Sequence, residues 1–343
     1  MKTTLFGLDI GTTSLKIALV RKQGETYMLD AIAVAPTTKK GVISESISDQ
    51  QELASQIKQM HTNSGIKIVD ASISIPEIQV YTKVIEMPVL SEQELSAALK
   101  FQMEQYIPLP LDQVRTDWQI LGQTETEGKK GMNVMIVAAP TSLLEKYDKI
   151  LSLAGVNVET IETEIISVHR ALLPLIASTD TNIIVHVGAT TTNVAIIKDS
   201  AINIVFTIGL GGFAITRAIS LDLGIDTAQA ENYKKAYGLS QEAFEGKVGK
   251  SLHPILDSII GDIKKSLLSF KEKNNNEEVK QIILSGGTAL LPGIDTYIAN
   301  MLGIQVVLGN CWDAYNIQNV PPEIKAEAPS YNVVIGLALR NLV

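Results

Sequence analysis

The sequence predicts an α/β protein with two similar lobes and a smaller domain inserted between them. A strand–turn–strand pattern occurs twice, half a chain apart, and strands alternate with helices after each copy. The chain of 343 residues is also longer than one small core usually holds. We therefore expect two lobes that each begin with the same structural unit.

The composition argues against several classes of partner. The chain has 29 Lys and Arg residues and 37 Asp and Glu residues, and its net charge is −8. It therefore has no chain-wide electrostatic attraction to nucleic acid or anionic membranes. The single cysteine excludes intrachain disulfides and zinc sites of the CxxC kind. No apolar run approaches the roughly 20 residues that cross a bilayer, and we expect neither a secretory signal nor an amphipathic anchor. These features predict a cytoplasmic protein.

The repeated unit spans Leu8–Val20 and Val185–Ile197, which match in character at a fixed offset of 177 residues. Each copy is an apolar strand, a turn of glycine and hydroxyl residues, and a second apolar strand. Small and hydroxylic turn residues between β-branched flanks are typical of β-hairpins. The sequence therefore predicts two equivalent hairpins, one in each lobe.

Further elements follow each hairpin. Apolar periodicity and turn signals predict, after the first, a strand at Tyr27–Val34, a helix at Gln51–Met60 and a strand at Val69–Ile75. After the second they predict a strand at Asn203–Thr207, helices at Ala214–Ser220 and Thr227–Tyr237, a strand at Gln281–Ser285 and a helix at Leu290–Met301.

The segment between the halves has a β-α-β-β-α-β pattern and is predicted to be an inserted subdomain. Ser91 to Glu94 is a capping box that opens an amphipathic helix, which ends at Pro108. The predicted divisions are residues 1–70, 160–180 and 330–343 for the first lobe, 71–159 for the insert, and 181–329 for the second lobe. Residues 211–275 would form a smaller subdomain of the second lobe.

The hairpin turns suggest a phosphate site. A turn of this kind can direct several backbone N–H groups toward one point, which suits phosphate oxygens. Asp9, at the end of a strand, could orient the water shell of Mg²⁺, and Lys16 could reach a phosphate. The turns Gly209–Gly212 and Gly286–Thr288 each lie between a strand and a helix, where a helix N-terminus favours anions. None of these segments matches the P-loop or Rossmann pattern, so another architecture must hold a nucleotide.

These residues resemble the motifs of the actin-like ATPase superfamily. Asp9–Lys16 is similar to its first phosphate motif, Val185–Asn193 to its second, Ser285–Gly293 to its adenosine motif, and Ala230–Lys234 to its nucleotide-binding helix. The resemblance implies the actin-like (ribonuclease H-like) fold and a bound ATP or ADP with Mg²⁺. The nucleotide contacts that it implies are Gly11, Thr12, Thr13, Ser14, Lys16, Gly188, Thr190, Gly211, Gly212, Glu231, Lys234, Gly286, Gly287 and Thr288.

Within that superfamily the chain resembles the PilM family of type IV pilus assembly, from Leu5 to Arg340. The segments Lys83–Pro88 and Gln105–Asp112 are similar to that family's inserted subdomain. The resemblance implies a cytoplasmic, ATP-binding scaffold at the inner face of the membrane. Its partners would be the N-terminal cytoplasmic peptide of a PilN-like membrane protein and other pilus platform or motor proteins. Phe101–Leu111 is where we expect part of the peptide groove.

One departure from the superfamily pattern concerns turnover. His186 stands where the second phosphate motif carries Asp, and neutral imidazole is a poor substitute for a carboxylate around hydrated Mg²⁺. We therefore expect ATP binding with slow or absent hydrolysis. Asp9 is the carboxylate expected to bind the hydrated Mg²⁺ ion. Glu162 and Glu164 are the candidates for positioning the water that attacks the phosphate. Two alternative functions stay open: a sugar- or acetate-type kinase, and an FtsA-like filament-forming protein.

Overall fold

In the computed structural model, residues 3–126, 129–176, 180–241, 243–274 and 276–343 are described. The strands are β1 (Phe6–Ile10), β2 (Ser14–Gln23), β3 (Thr26–Pro36), β4 (Asp70–Ile75), β5 (Tyr81–Pro88), β6 (Val114–Thr126), β7 (Lys129–Pro140), β8 (Asn157–Thr163), β9 (Thr181–Val187), β10 (Thr192–Lys198), β11 (Ala201–Ile208), β12 (Val279–Ser285) and β13 (Gln305–Leu308). The helices are α1 (Ile47–Ser64), α2 (Glu92–Tyr106), α3 (Thr141–Ala154), α4 (Glu164–Leu172), α5 (Gly212–Leu223), α6 (Thr227–Tyr237), α7 (Lys247–Lys273), α8 (Ile294–Leu302), α9 (Cys311–Ala314), α10 (Pro322–Lys325) and α11 (Asn332–Ala338).

The two lobes contain sheets of the same topology. The first sheet has the strand order β3-β2-β1-β4-β8 and the second has β11-β10-β9-β12-β13. In each sheet the two strands of the hairpin are antiparallel, and the later strands pair in parallel. The parallel pairs are β1–β4 and β4–β8 in the first sheet. In the second sheet they are β9–β12 and β12–β13. The two-lobed α/β prediction and its repeated hairpin are therefore confirmed.

Helices α4 and α11 lie between the two sheets and join the lobes. Their apolar faces form one buried cluster with Ala18 and Val20 of the first sheet and Ile184 and Ala195 of the second. The approach is close, because a Cβ on Gly336 would lie 1.9 Å from the Ser167 carbonyl oxygen. This shared core fixes the two sheets so that the ends of β1 and β9 face the same cleft.

The insert is smaller than predicted. It consists of the sheet β5-β7-β6 and helix α2, whose capping box at Ser91 and Glu94 forms as expected. The prediction of 71–159 is wrong at both ends, because β4 and β8 pair with each other in the first-lobe sheet. Helix α3 also belongs to the first lobe, since its buried Tyr147 shares a core with Ile57 of α1. The insert thus covers about β5 to β7.

Second-lobe helices α5, α6 and α7 pack on one face of the second sheet. The helix predicted from Leu290 begins later, at Ile294, because Gly293 adopts a left-handed conformation with φ +80° before it. Residues 211–275 share their buried core with the sheet, and their separate identity as a subdomain stays a prediction. No helix in the described parts of the chain combines the length and apolarity of a membrane span.

Candidate functional site

The two hairpin turns close with the same hydrogen bond. The Gly11 N–H donates to the Ser14 carbonyl at 3.0 Å, and the Gly188 N–H donates to the Thr191 carbonyl at 2.9 Å. Thr12, Thr13 and Thr190 at the turn tips are exposed. The turns therefore have matching geometry and leave their tips accessible to a ligand.

The first lobe supplies the charged pair of the cleft. Asp9 is buried at the end of β1, and its carboxylate lies 3.6 Å from Lys16 Nζ, which also donates to Ser14 Oγ at 3.0 Å. Burial raises the pKa of Asp9, while Lys16 and a hydrogen bond from Ser74 act in the opposite direction. The ammonium group of Lys16 is thus held near the hairpin turn, where it could meet a phosphate.

The equivalent positions of the second lobe carry neutral groups. His186 pairs with Asn193 in the hairpin, as Asp9 pairs with Lys16. His186 Nδ1 lies 3.0 Å from Ser285 Oγ at the end of β12, the strand that matches β4. Burial first, and then the Lys16 charge, lower the pKa of His186 to about 4. The influence of Lys16 on His186 shows that the two hairpins converge on one space.

Glu164 lies where the lobes meet, at the start of α4. Its Oε2 accepts a hydrogen bond from Asn193 Nδ2 at 3.0 Å, and Asn193 Oδ1 accepts one from Thr207 at 3.1 Å. Burial, followed by the charges of Asp9 and Glu77, raises the pKa of Glu164 to about 8. Glu164 is therefore the candidate carboxylate that faces the cleft.

Glu162, the other candidate, does not face the cleft. Its side chain is 3% exposed and receives hydrogen bonds from Arg170 at 2.5 and 2.7 Å, from Arg340 at 2.5 Å and from Ser167 at 3.0 Å. A carboxylate with two guanidinium partners has no free lone pair directed at a water in the cleft. The prediction of Glu162 as a water-positioning residue is wrong, because its role is to hold α4 and the C-terminal segment together.

A glycine-lined surface connects the second hairpin to the predicted adenosine motif. The Gly212 N–H donates to the Gly188 carbonyl at 2.9 Å, and Thr288 Oγ1 donates to the same oxygen at 3.3 Å. A Cβ on Gly212 would lie 2.7 Å from Thr288 Oγ1, and one on Gly211 would lie 2.7 Å from the Gly188 carbonyl oxygen. Only glycine permits this close approach, which brings three separate segments, including Gly286 and Gly287, to one place.

Glu231 and Lys234 are close to this surface, but the lysine is already engaged. Lys234 is buried and donates to Glu231 at 2.7 Å, to Thr216 Oγ1 at 2.9 Å and to the Gly212 carbonyl at 3.2 Å. Glu231 retains 31% exposure. Glu231 is therefore the better placed of the two to contact a ligand, while Lys234 supports the start of α5.

The residues fit a nucleotide better than they fit a dedicated metal site. The cradle of glycine backbone leaves no room for side chains, as expected where a phosphate or sugar approaches the backbone. In the parts of the chain that the structure describes, no three His, Cys, Asp or Glu side chains form a ready metal cluster. A Mg²⁺ ion commonly uses one or two carboxylates plus phosphates and waters, and Asp9 could provide a carboxylate.

Two surface depressions of the described residues lie outside the cleft. One of about 450 Å³ is lined by Thr37, Thr38 and residues of α1, and one of about 410 Å³ lies between α5 and α7. Thr37 does touch the first hairpin, because its Oγ1 donates to the Gly11 carbonyl at 2.7 Å. The turns of the two hairpins border neither depression.

Sequence reasoning missed Ser74, and it assigned no individual role to Asn193 and Ser285, although both lie in the predicted motifs. Ser74 and Ser285 end equivalent strands and bond to Asp9 and His186 respectively. The repeat could have identified them, because each serine occupies the matching place in its own lobe.

The comparisons agree with this geometry. A family model described as type IV pilus assembly protein PilM matches residues 7–342. The cell division protein FtsA of Streptococcus pneumoniae serotype 2 (strain D39 / NCTC 7466) is 24% identical over 379 residues, covering 97% of this chain and 79% of the relative.

Two solved structures show the likeness of fold. The PilM–PilN type IV pilus biogenesis complex matches with a TM-score of 0.85 at 23% identity, over 100% of both chains. MreB 5 of Spiroplasma citri bound to AMPPNP matches with a TM-score of 0.55 at 14% identity, over 100% of this chain and 97% of that one. The predicted actin-like fold is confirmed. Because the family model spans almost the whole chain, this protein belongs to the type IV pilus assembly protein PilM family.

Proposed function

We propose that this protein is a cytoplasmic, nucleotide-binding scaffold of a type IV pilus machine. It binds ATP or ADP in the cleft and captures the N-terminal cytoplasmic peptide of a PilN-like membrane protein at the insert. The observation that carries the partner assignment is the likeness to the PilM–PilN complex over both whole chains, together with family membership. Through this partner the scaffold would lie at the inner face of the membrane and contact other platform or motor proteins.

The nucleotide assignment is supported by the convergence of matching hairpins. Each turn closes with the same bond, and Lys16 acts electrostatically on His186 in the opposite lobe. The solved relative MreB 5 binds AMPPNP with the same fold. Bound phosphates would meet backbone N–H groups, Lys16 and the start of α5.

Slow or absent turnover follows from the same geometry. Attack on a phosphate requires a positioned water and charge stabilisation by a metal ion. His186 offers no carboxylate oxygen to a hydrated Mg²⁺, so only the first lobe and Glu164 could hold it. Glu164 itself is mostly protonated near pH 7, because its pKa is raised to about 8, and a protonated carboxyl is a poor base.

The insert offers an accessible aromatic surface for the peptide. Within the predicted stretch from Phe101 to Leu111, Met103 and Ile107 are buried in the insert core, while Phe101 is 73% exposed. Tyr106 is 39% exposed, with Lys83 Nζ lying 3.8 Å from its ring centre. Exposed aromatic groups beside a cation suit an extended peptide with apolar anchors.

The family assignment favours the scaffold over the small-molecule kinase. The FtsA relatives keep filament formation as a second candidate. Sedimentation of the protein with and without ATP separates the two: a nucleotide-dependent pellet would favour filaments, and a soluble protein that binds peptide would favour the scaffold.

The test of the partner assignment is titration of a PilN-like N-terminal peptide into the ATP-loaded protein. Phe101→Ser should weaken peptide binding about tenfold or more, because exposed aromatic residues often dominate such contacts. The melting temperature should stay near that of the wild type, since the ring is exposed. Leu268→Ser, an equally exposed apolar residue of α7 at 61%, is the matched control and should bind the peptide normally. Failure of the wild type to bind any such peptide would refute the assignment.

A further inference from the structure

His186 occupies a position that decides how the second lobe meets a phosphate. It matches Asp9 of the first lobe in the hairpin, and it is 7% exposed at the cleft end of β9. Ser285 is its partner at Nδ1, as Ser74 is the partner of Asp9. The scaffold around the two residues is therefore the same, and only the group presented to the cleft differs.

The neighbours of Ser285 fix which ring nitrogen of His186 carries the proton. Asn332 Nδ2 donates to Ser285 Oγ at 2.9 Å and to the Gly309 carbonyl at 3.1 Å. The Ser285 hydroxyl proton can then go to His186 Nδ1 at 3.0 Å or to the Pro329 carbonyl at 3.5 Å. Because an O–H donor usually lies about 2.5–3.0 Å from its acceptor, the shorter distance favours donation to Nδ1. A neutral imidazole that accepts at Nδ1 carries its own proton on Nε2.

The ring remains neutral, and its second nitrogen is available. Burial and Lys16 lower the pKa of His186 to about 4, so the imidazole is uncharged at any ordinary working pH. Within the described residues, Nε2 has no hydrogen-bond partner. Charged and titratable groups at this end of the cleft include Lys16 on β2, Asp9 on β1 and Glu164 on α4, with Glu77 acting on Glu164. Glu231 and Lys234 lie at the glycine-lined surface.

We propose that His186 donates a hydrogen bond from Nε2–H directly to a phosphate oxygen of the bound nucleotide. The second lobe then binds the phosphates without a metal ion. A carboxylate at this position would repel the phosphates unless a cation lay between the two. Ser285 and Asn332 are positioning residues that hold the tautomer. This inference rests on the proposed nucleotide binding, and it specifies how that site recognises its ligand.

The test compares ATP binding by calorimetry in EDTA and in Mg²⁺ for the full chain and four variants. The wild-type dissociation constant should change by less than about threefold between the two conditions. His186→Leu should weaken binding about tenfold or more in EDTA, the scale of one hydrogen bond to a charged group. His186→Gln, which keeps an N–H donor, should stay within about threefold of the wild type. His186→Asp should bind poorly in EDTA and recover partly with Mg²⁺.

His253→Gln is the matched control, because His253 stacks on Tyr297 at 5.1 Å on α7, away from the cleft, and it should change nothing. A second measurement uses ¹⁵N-labelled histidine, with the His186→Gln spectrum assigning the signal. The wild type should show the Nε2–H tautomer, and ATP should shift the Nε2 resonance.

The outcomes separate the two proposals. If the wild type binds no ATP under either condition, both the nucleotide site and this inference are overturned. If it binds ATP but His186→Leu binds equally well in EDTA, or the spectrum shows a proton on Nδ1, only this inference is overturned. A wild type that needs Mg²⁺ for binding would also overturn it.

Discussion

Replacing Glu162 with Gln tests whether this residue is structural, as its contacts indicate. The substitution removes the negative charge but keeps the size of the side chain. Two guanidinium groups, from Arg170 and Arg340, would then lose their shared counter-charge. We expect a clear loss of stability.

The magnitude follows from the exposure of the three partners. Breaking a buried ion pair by removing one partner costs about 3–5 kcal/mol. The Glu162 and Arg170 side chains are 3% and 13% exposed, but Arg340 is 39% exposed and can turn toward water. The lower end, about 3 kcal/mol, is therefore expected. For a chain of this size about 2 °C per kcal/mol gives a fall of about 6 °C in melting temperature.

Glu164→Gln is the matched control, since it makes the same chemical change two residues along the chain. Because the pKa of Glu164 is raised to about 8, folding at pH 7 must place a proton on this group, so a permanently neutral amide should not lower the melting temperature there and should tend to raise it. Both variants are compared by thermal unfolding at pH 7, with ATP binding measured beside it. If Glu162→Gln melts like the wild type, or if Glu164→Gln is the less stable of the two, the assignment of Glu162 to structure is refuted.

Two further predictions concern stability. Burial is the main reason that the pKa values of Glu77 and Glu164 are raised to about 7 and about 8. The folded state therefore gains stability from the protonated forms of both groups, in full below about pH 4.5, and this gain is lost as the pH rises through 7 and 8. The melting temperature should therefore fall between pH 6 and 9, and the double variant Glu77→Gln/Glu164→Gln should show a smaller fall. An equal fall in the variant would show that these two carboxyl groups do not cause it. Gly336→Ala should destabilise the protein strongly, because the new Cβ would lie 1.9 Å from the Ser167 carbonyl oxygen. Gly261→Ala is the control and should not destabilise it, because the space around Gly261 is open. Equal melting temperatures for the two variants would contradict the close packing of α11 against α4.

The hairpins and most elements could be predicted because their signals are local. Helix α6, from Thr227 to Tyr237, has the predicted bounds. Glycine turns, capping residues and apolar periodicity each act within a few residues, and the repeat doubled the evidence for the hairpins. Asp9 and Lys16 were predicted at the cleft for the same reason, because the strand end and the turn that carry them can be recognised locally.

The errors have a different origin, because long-range pairing decided them. Glu162 looked available, yet one of its partners, Arg340, lies 178 residues away. The insert was predicted too long because α3 followed by β8 has the pattern of any helix–strand unit. Only the parallel pairing of β8 with β4 assigns it to the first lobe, and no local signal specifies that pairing.

Under the proposed function, the internal symmetry offers a way for one scaffold to bind a nucleotide without hydrolysing it. Asp9, Lys16 and Ser74 correspond to His186, Asn193 and Ser285, so the strands, the turns and the supporting serines are retained while the second hairpin carries neutral groups at both charged positions. Binding a polyphosphate depends on N–H donors and one cation, which both lobes together still supply. Hydrolysis depends in addition on carboxylates around a metal ion, and these remain on one side only. A second hairpin with neutral groups in the same geometry therefore suits the proposed role, in which the nucleotide is a structural ligand while the insert engages a partner.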